Sequence, residues 1–230
     1  MMNAEQRAAI EAAVVSAEDK TRGEIYCVAA DASSDYREVI LAWAAGVALL
    51  APALLLMGGI KVAAPAILSG WSAVQAEQTA GGAVRAALME TVVLQCLLFG
   101  LTAILVSLAP VRRLLTPNSL KRLRVRERAR EQFLARGLSA TREGTGVLIY
   151  VSLDEHLAEI IADQGIASKV SPAVWERAMA ALVGGMKRGD AAGGFAAAVA
   201  LCGEVLAEHF PPGADNPDEL PNALVELPRA

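Results

Sequence analysis

The side chains in this chain best suited to chemistry are carboxylates. Asp31 and Asp35 follow a short apolar segment, 24–30, that Glu24 opens. Asp154 and Glu155 follow a second such segment, 145–152, and Glu159 and Asp163 lie on the segment after that. If the first two segments are neighbouring parallel strands, Asp31 and Asp154 come at their carboxyl ends, where α/β sheets place ligands. Turns also favour Asp for backbone reasons alone, so solvated turn acids are the plainer reading. Glu159 and Asp163 are four apart on a predicted strand and share a face. Charge there is one way an edge strand resists unwanted pairing.

Other chemistry finds less support. His156 and His209 are far apart, and neither has a partner at metal-ligand spacing. The glycine-rich piece GDAAGG, 189–194, lacks the Lys-Ser/Thr ending of a phosphate-binding loop and does not follow a strand. No serine sits in a nucleophile elbow. Cys27, Cys96 and Cys202 are odd in number and widely spaced, which suits reduced thiols rather than a disulfide framework or a zinc site. Cys27 and Cys202 read as core residues.

Charge is unevenly placed. From Arg112 to Arg130 eight basic residues meet one acid, Glu127, a local excess of +7 that leaves −11 on the rest of a chain totalling −4. An acidic body with one basic stripe is not a nucleic-acid-binding signature, which requires a basic face with base-reading or stacking groups.

Two runs, 39–60 and 91–111, hold no Asp, Glu, Lys, Arg or His. At about 1.5 Å per residue each reaches roughly 30 Å, the thickness of a bilayer's hydrocarbon core. They predict a transmembrane hairpin, and they account for the excess of the 54% apolar content over the globular norm. Tyr36 and Trp43 bracket the start of the first span at interfacial depth, Pro52 is expected to kink it, and Trp71 is placed at the far interface. The loop 61–90 carries two basic residues, Lys61 and Arg85, against Arg37 and the 112–130 cluster on the flanks. The positive-inside rule then puts both termini in the cytoplasm and the loop outside, with the protein in a cell inner membrane. The cluster could also grip anionic lipid. The first 38 residues show no signal-peptide pattern.

The remaining elements follow from periodicity. A helix is expected over 3–20 with Asn3 as its cap, then a strand over 24–30. After the hairpin come a helix over 120–138, with Leu123, Phe133, Leu134 and Leu138 buried, a strand over 145–152 and a return strand over 157–163. Ser171-Pro172 starts another helix, and Asp190 caps a last one over 191–209. The tail, 211–230, is Pro-rich and acidic, and reads as extended and surface-lying, docking through Leu220, Leu224 and Leu227.

Three segments in this order, AEQRAAIEAAVVSAEDKTRGEIYCVAA, TGVLIYVSLDEHLAEIIADQGI and KRGDAAGGFAAAVALCGEVL, resemble the TPM domain. That is the α/β domain of thylakoid photosystem II repair phosphatase-like proteins and of many bacterial membrane-associated proteins. The resemblance implies a small mixed sheet flanked by helices, here interrupted by a transmembrane hairpin after the first strand. The parts are then 3–35 and 112–210 for the domain, 39–111 for the hairpin and 211–230 for the tail. The resemblance also implies a divalent-ion-dependent phosphatase, with Asp31 and Asp154 as candidate catalytic residues and Asp31, Asp154 and Glu155 as candidate ligands of Ca2+ or Mg2+. No D-x-D-x-D-G loop is present to hold such an ion. The leading expectation is therefore an interaction or assembly module at the membrane. Its surroundings are membrane lipid and a protein partner met through the sheet edge or the C-terminal tail.

Overall fold

The computed structural model describes residues 2–59, 80–141, 144–213 and 220–229. They fall into two units, Met1–Asp35 with Asn118–Ala230, and Tyr36–Pro117. The first unit opens with α1 (Ala4–Glu18), where the Asn3 side chain accepts from the Gln6 N–H at 2.7 Å and Gln6 reaches back to the Asn3 N–H at 2.9 Å. This reciprocal cap satisfies two amides that a helix start leaves without partners. Then come β1 (Glu24–Ala30) and, after the second unit, α5 (Asn118–Ala135), β2 (Gly146–Ser152), β3 (Leu157–Ala162), the single turn α6 (Gln164–Ala167), α7 (Pro172–Lys187), α8 (Ala191–His209) and β4 (Val225–Leu227).

The four strands form one mixed sheet in the order β3-β2-β1-β4. β1 pairs parallel with β2, from Glu24 opposite Gly146 to Ala30 opposite Ser152. β3 returns antiparallel to β2, as a hairpin should, with Ser152 opposite Leu157. Every residue of β1 and β2 is buried, the mark of central strands covered on both faces. Alternation divides them cleanly. Ile25, Cys27, Ala29, Val147, Ile149 and Val151 meet α1, α7 and α8, whereas Tyr26, Val28, Ala30, Leu148 and Tyr150 meet α5.

The structure corrects several expectations. Leu123 and Leu134 are exposed, not buried, because α5 turns Val125, Ala129 and Phe133 to the sheet and both leucines lie off that stripe. Asp163 is not on β3 but caps α6, accepting from the Gln164 N–H at 2.6 Å, so it shares no strand face with Glu159. The tail is not merely extended, since Val225–Leu227 pairs parallel with β1. Glu226 holds it there through the Met2 amide at 2.6 Å and Arg7 at 3.5 Å, and Leu224 is buried beside it.

In the second unit, α2 (Arg37–Met57) runs through Pro52 as one helix and packs along α3 (Ala80–Ser107). Ala44 and Ala48, one turn apart on α2, are buried, as small residues are where two membrane-type helices approach. α3 begins at Ala80, inside the expected loop, and stops at Ser107, short of the expected span end. Leu108 is extended there, and Pro110 sits in the first turn of the separate helix α4 (Ala109–Leu115), where a proline costs no hydrogen bond. Residues 60–79, with Lys61 and Trp71, lie outside the described residues. Among the described residues three helices are long and apolar enough to cross a membrane: Arg37–Leu55, Ala87–Ser107 and Ala191–His209. The third is half-buried as α8 in the first unit's core, whereas the Ala87–Ser107 stretch is only 6% buried.

Helices α7 and α8 touch through glycine. A Cβ on Gly185 would stand 2.4 Å from the Gly194 Cα and 2.7 Å from the Asp190 carbonyl, both backbone atoms that cannot swing aside. Gly185→Ala is expected to destabilise the protein by about 2 kcal/mol through overpacking, read as a lowered melting temperature; an unchanged melt would refute this contact. Cys27 and Cys202 are both buried in this core. Burial pushes both thiols up, Cys202 to about 12, and at Cys27 the neighbouring Cys202 and Glu18 add to the effect. A raised value keeps each thiol protonated at pH 8, so a maleimide should modify neither until the chain is unfolded, as peptide mass mapping would show.

Candidate functional site

The parallel pairing of β1 and β2 sets their carboxyl ends side by side, and the ladder continues beyond them. The Leu153 N–H donates to the Ala30 carbonyl and the Asp154 N–H to the Asp31 carbonyl, each at 2.9 Å. The Asp31 N–H donates to the Leu227 carbonyl of β4 at 3.0 Å. Asp31 and Asp154 therefore meet at the strand ends, and both remain partly exposed.

The side chains of Asp154 and Glu155 serve the surrounding chain. The Asp154 carboxylate accepts from the guanidinium of Arg229, which follows β4. The Glu155 carboxylate accepts the Ser33 N–H at both oxygens, 3.2 and 3.3 Å, and also takes the Ser152 hydroxyl. Behind it runs a buried polar chain. Ser33 Oγ donates to Ser152 Oγ at 3.0 Å, and the Tyr150 hydroxyl lies 3.0 Å from Ser33 Oγ. Ser33 has a single hydroxyl proton, so its donation to Ser152 leaves Tyr150 to donate to Ser33. The order is then Tyr150 to Ser33 to Ser152 to Glu155. Burial pushes the Tyr150 phenol up, offset in part by the Ser33 hydrogen bond and the Arg128 charge.

Chemically, the strand ends offer carboxylates already engaged in closing loops. Calcium takes about six to eight oxygen ligands. Among the described residues no three of His, Cys, Asp and Glu are grouped to hold a metal ion. Glu24 is buried at the opposite, amino end of β1, and Glu159 pairs with Arg126 at 3.1 Å. His156 is in the β2–β3 turn and His209 ends α8, far apart in sequence and on different elements.

Sequence reasoning missed the Ser33, Ser152 and Tyr150 chain and the Arg229 contact. Ser152 carried a signal, being the one polar residue at the end of an apolar run and fully buried. Arg229 carried none, since its contact with Asp154 spans 75 positions.

A mixed sheet with helices on both faces and a polar closure at its parallel strand ends defines a small α/β domain. Residues 112–205 match the family model of the TPM domain, so the chain carries one. The matched stretch starts after the hairpin, and the structure adds β1 and α1 to the same unit. The NMR structure of the BA42 protein from the psychrophilic bacterium Bizionia argentinensis is similar, with a TM-score of 0.55 and 19% identity over 98% of this chain and 95% of that one. At that identity the likeness is one of fold. No curated protein matches.

Glu155→Ala would leave the buried Ser152 hydroxyl without its acceptor and the Ser33 N–H without its carboxylate. The expected loss is about 2 kcal/mol of stability, measured by chemical denaturation. A loss below about 0.5 kcal/mol would show that the closure contributes nothing beyond an ordinary surface contact.

Proposed function

We propose that this chain is an integral protein of a bacterial inner membrane whose hairpin holds the TPM domain at the cytoplasmic face, where the domain acts as an interaction or assembly module. Membrane insertion is supported by α2 and α3, which turn Leu49, Leu50 and Leu54, and Leu101, Ile104 and Leu105, outward on stretches without charge. Water would penalise such a surface, and hydrocarbon accepts it. Orientation rests on the basic residues of the flanks.

The observation that favours assembly over hydrolysis is the employment of the strand-end acids. Glu155 is held by Ser33 and Ser152, and Asp154 by Arg229, so both carboxylates close the fold. The competing reading is a divalent-ion-dependent phosphatase using Asp31 and Asp154, and the TPM resemblance is its support.

Two measurements test the proposal. A reporter that is active only outside the cytoplasm should work when inserted at residue 75 and fail when fused after residue 230; the reverse pattern would overturn the orientation. The purified protein should show no turnover of p-nitrophenyl phosphate with Ca2+ or Mg2+ above the buffer rate. Turnover abolished by Asp31→Asn with Asp154→Asn would establish the phosphatase instead.

A further inference from the structure

β3 is an edge strand, with β2 on one side and no strand on the other among the described residues. Helix α5 packs on one face of the sheet and α7 on the opposite face, and both touch β3. Between them lies a groove of about 510 Å³. Its floor includes Leu157, Ala158 and Glu159, three successive strand residues. Successive side chains point to opposite faces, so a groove touching all three, with a wall from each face, must run along the strand's edge.

The walls have a distinct chemistry. Arg122 and Arg126 of α5 stand on one side and Lys187 of α7 on the other, with a single acid, Glu159, between them. Glu159 is taken by Arg126, while Arg122 and Lys187 make no ion pair among the described residues. Two cations therefore face the groove from opposite walls in a chain whose net charge is −4. Val125, Met179 and Val183 supply apolar surface beside them.

We infer that this groove is a docking site for an extended acidic segment of a partner protein, interspersed with apolar residues, which adds as a strand to the open edge of β3. The inference rests on the assembly reading and names its partner's chemistry. The edge supplies main-chain hydrogen bonds, the walls supply charge complementarity, and the apolar residues give the segment's alternate side chains a place to pack. Six residues of β3 offer about 20 Å of edge, enough for a segment of similar length.

The test uses the full-length protein in detergent micelles and a labelled twelve-residue peptide alternating Glu and Val. A Lys–Val counterpart and a Glu–Val peptide interrupted by proline serve as controls. The Glu–Val peptide should bind by fluorescence anisotropy, more weakly as salt rises, and should slow amide hydrogen exchange along β3. Arg122→Glu with Lys187→Glu should weaken binding at least about tenfold without changing the melting temperature. If that variant fails to fold, Arg122→Gln should weaken binding in the same direction. The proline-interrupted peptide should lose a similar factor, because proline cannot donate to a ladder.

Equal binding by the charge-reversed protein, by the Lys–Val peptide or by the interrupted peptide would overturn the inference. So would capture of phosphatidylglycerol vesicles by Arg122 and Lys187 with no peptide binding, which would make the groove a lipid-headgroup site. Absence of peptide binding in a protein without phosphoester turnover refutes the groove alone. Turnover lost on removing Asp31 and Asp154 refutes the assembly reading and leaves the peptide result standing.

Discussion

β1 places seven buried residues in the middle of the sheet, and a strand in that position cannot leave its main-chain donors and acceptors without partners. It finds them on both sides from far along the chain, β2 from Gly146 and β4 from Val225. The long hairpin segment between β1 and α5 is tolerated because loop-closure entropy grows only slowly with length. Once β1 and β2 are in register, much else follows. α1, α7 and α8 cover one face, α5 the other, and the strand ends converge on Asp31, Asp154 and Leu227.

Those strand ends explain why acids that invite a catalytic reading can serve structure. A chain leaving a parallel sheet must close its polar groups where the ladder ends. Here the closure is a hydroxyl chain from Tyr150 through Ser33 and Ser152 to the Glu155 carboxylate, with Arg229 drawing Asp154 to the tail. Buried hydroxyls aligned in one donor direction are costly if broken and specific when complete. The tail thus belongs to the domain: β4 covers β1's second side, and Glu226 ties it to Met2 and Arg7 near the amino terminus.

Three helices among the described residues are long and apolar enough to cross a membrane, yet they are not alike. α8 meets α1 and α7 through small residues and buries Phe195, Val199, Cys202 and Leu206 in the sheet's core. α2 and α3 pack along each other through alanines and turn leucines outward. Length and hydropathy do not separate them, because each combines a long apolar stretch with few charges. What separates them is which surface the apolar side chains have available to bury against.

Local physics made much of this chain readable from its residues. The strand at 24–30, the strand read at 145–152 and found at 146–152, the Asn3 and Asp190 caps, the proline start of α7 and the two charge-free runs all depend on neighbours a few positions away. The meeting of Asp31 with Asp154 was legible too, because two apolar strands joined through a crossover pair in parallel. Tertiary structure decided the rest. Leu123 and Leu134 read as core by composition, but the face of α5 that meets the sheet passes through Val125, Ala129 and Phe133. The tail's three-residue strand is too short to announce itself, and it exists because β1 has a side to fill. The groove on β3 likewise joins Arg122 to Lys187 across opposite faces of one sheet. Periodicity and capping act over a turn or a strand and leave a trace in the sequence, whereas contacts between residues a hundred positions apart depend on which surfaces remain after the core has closed.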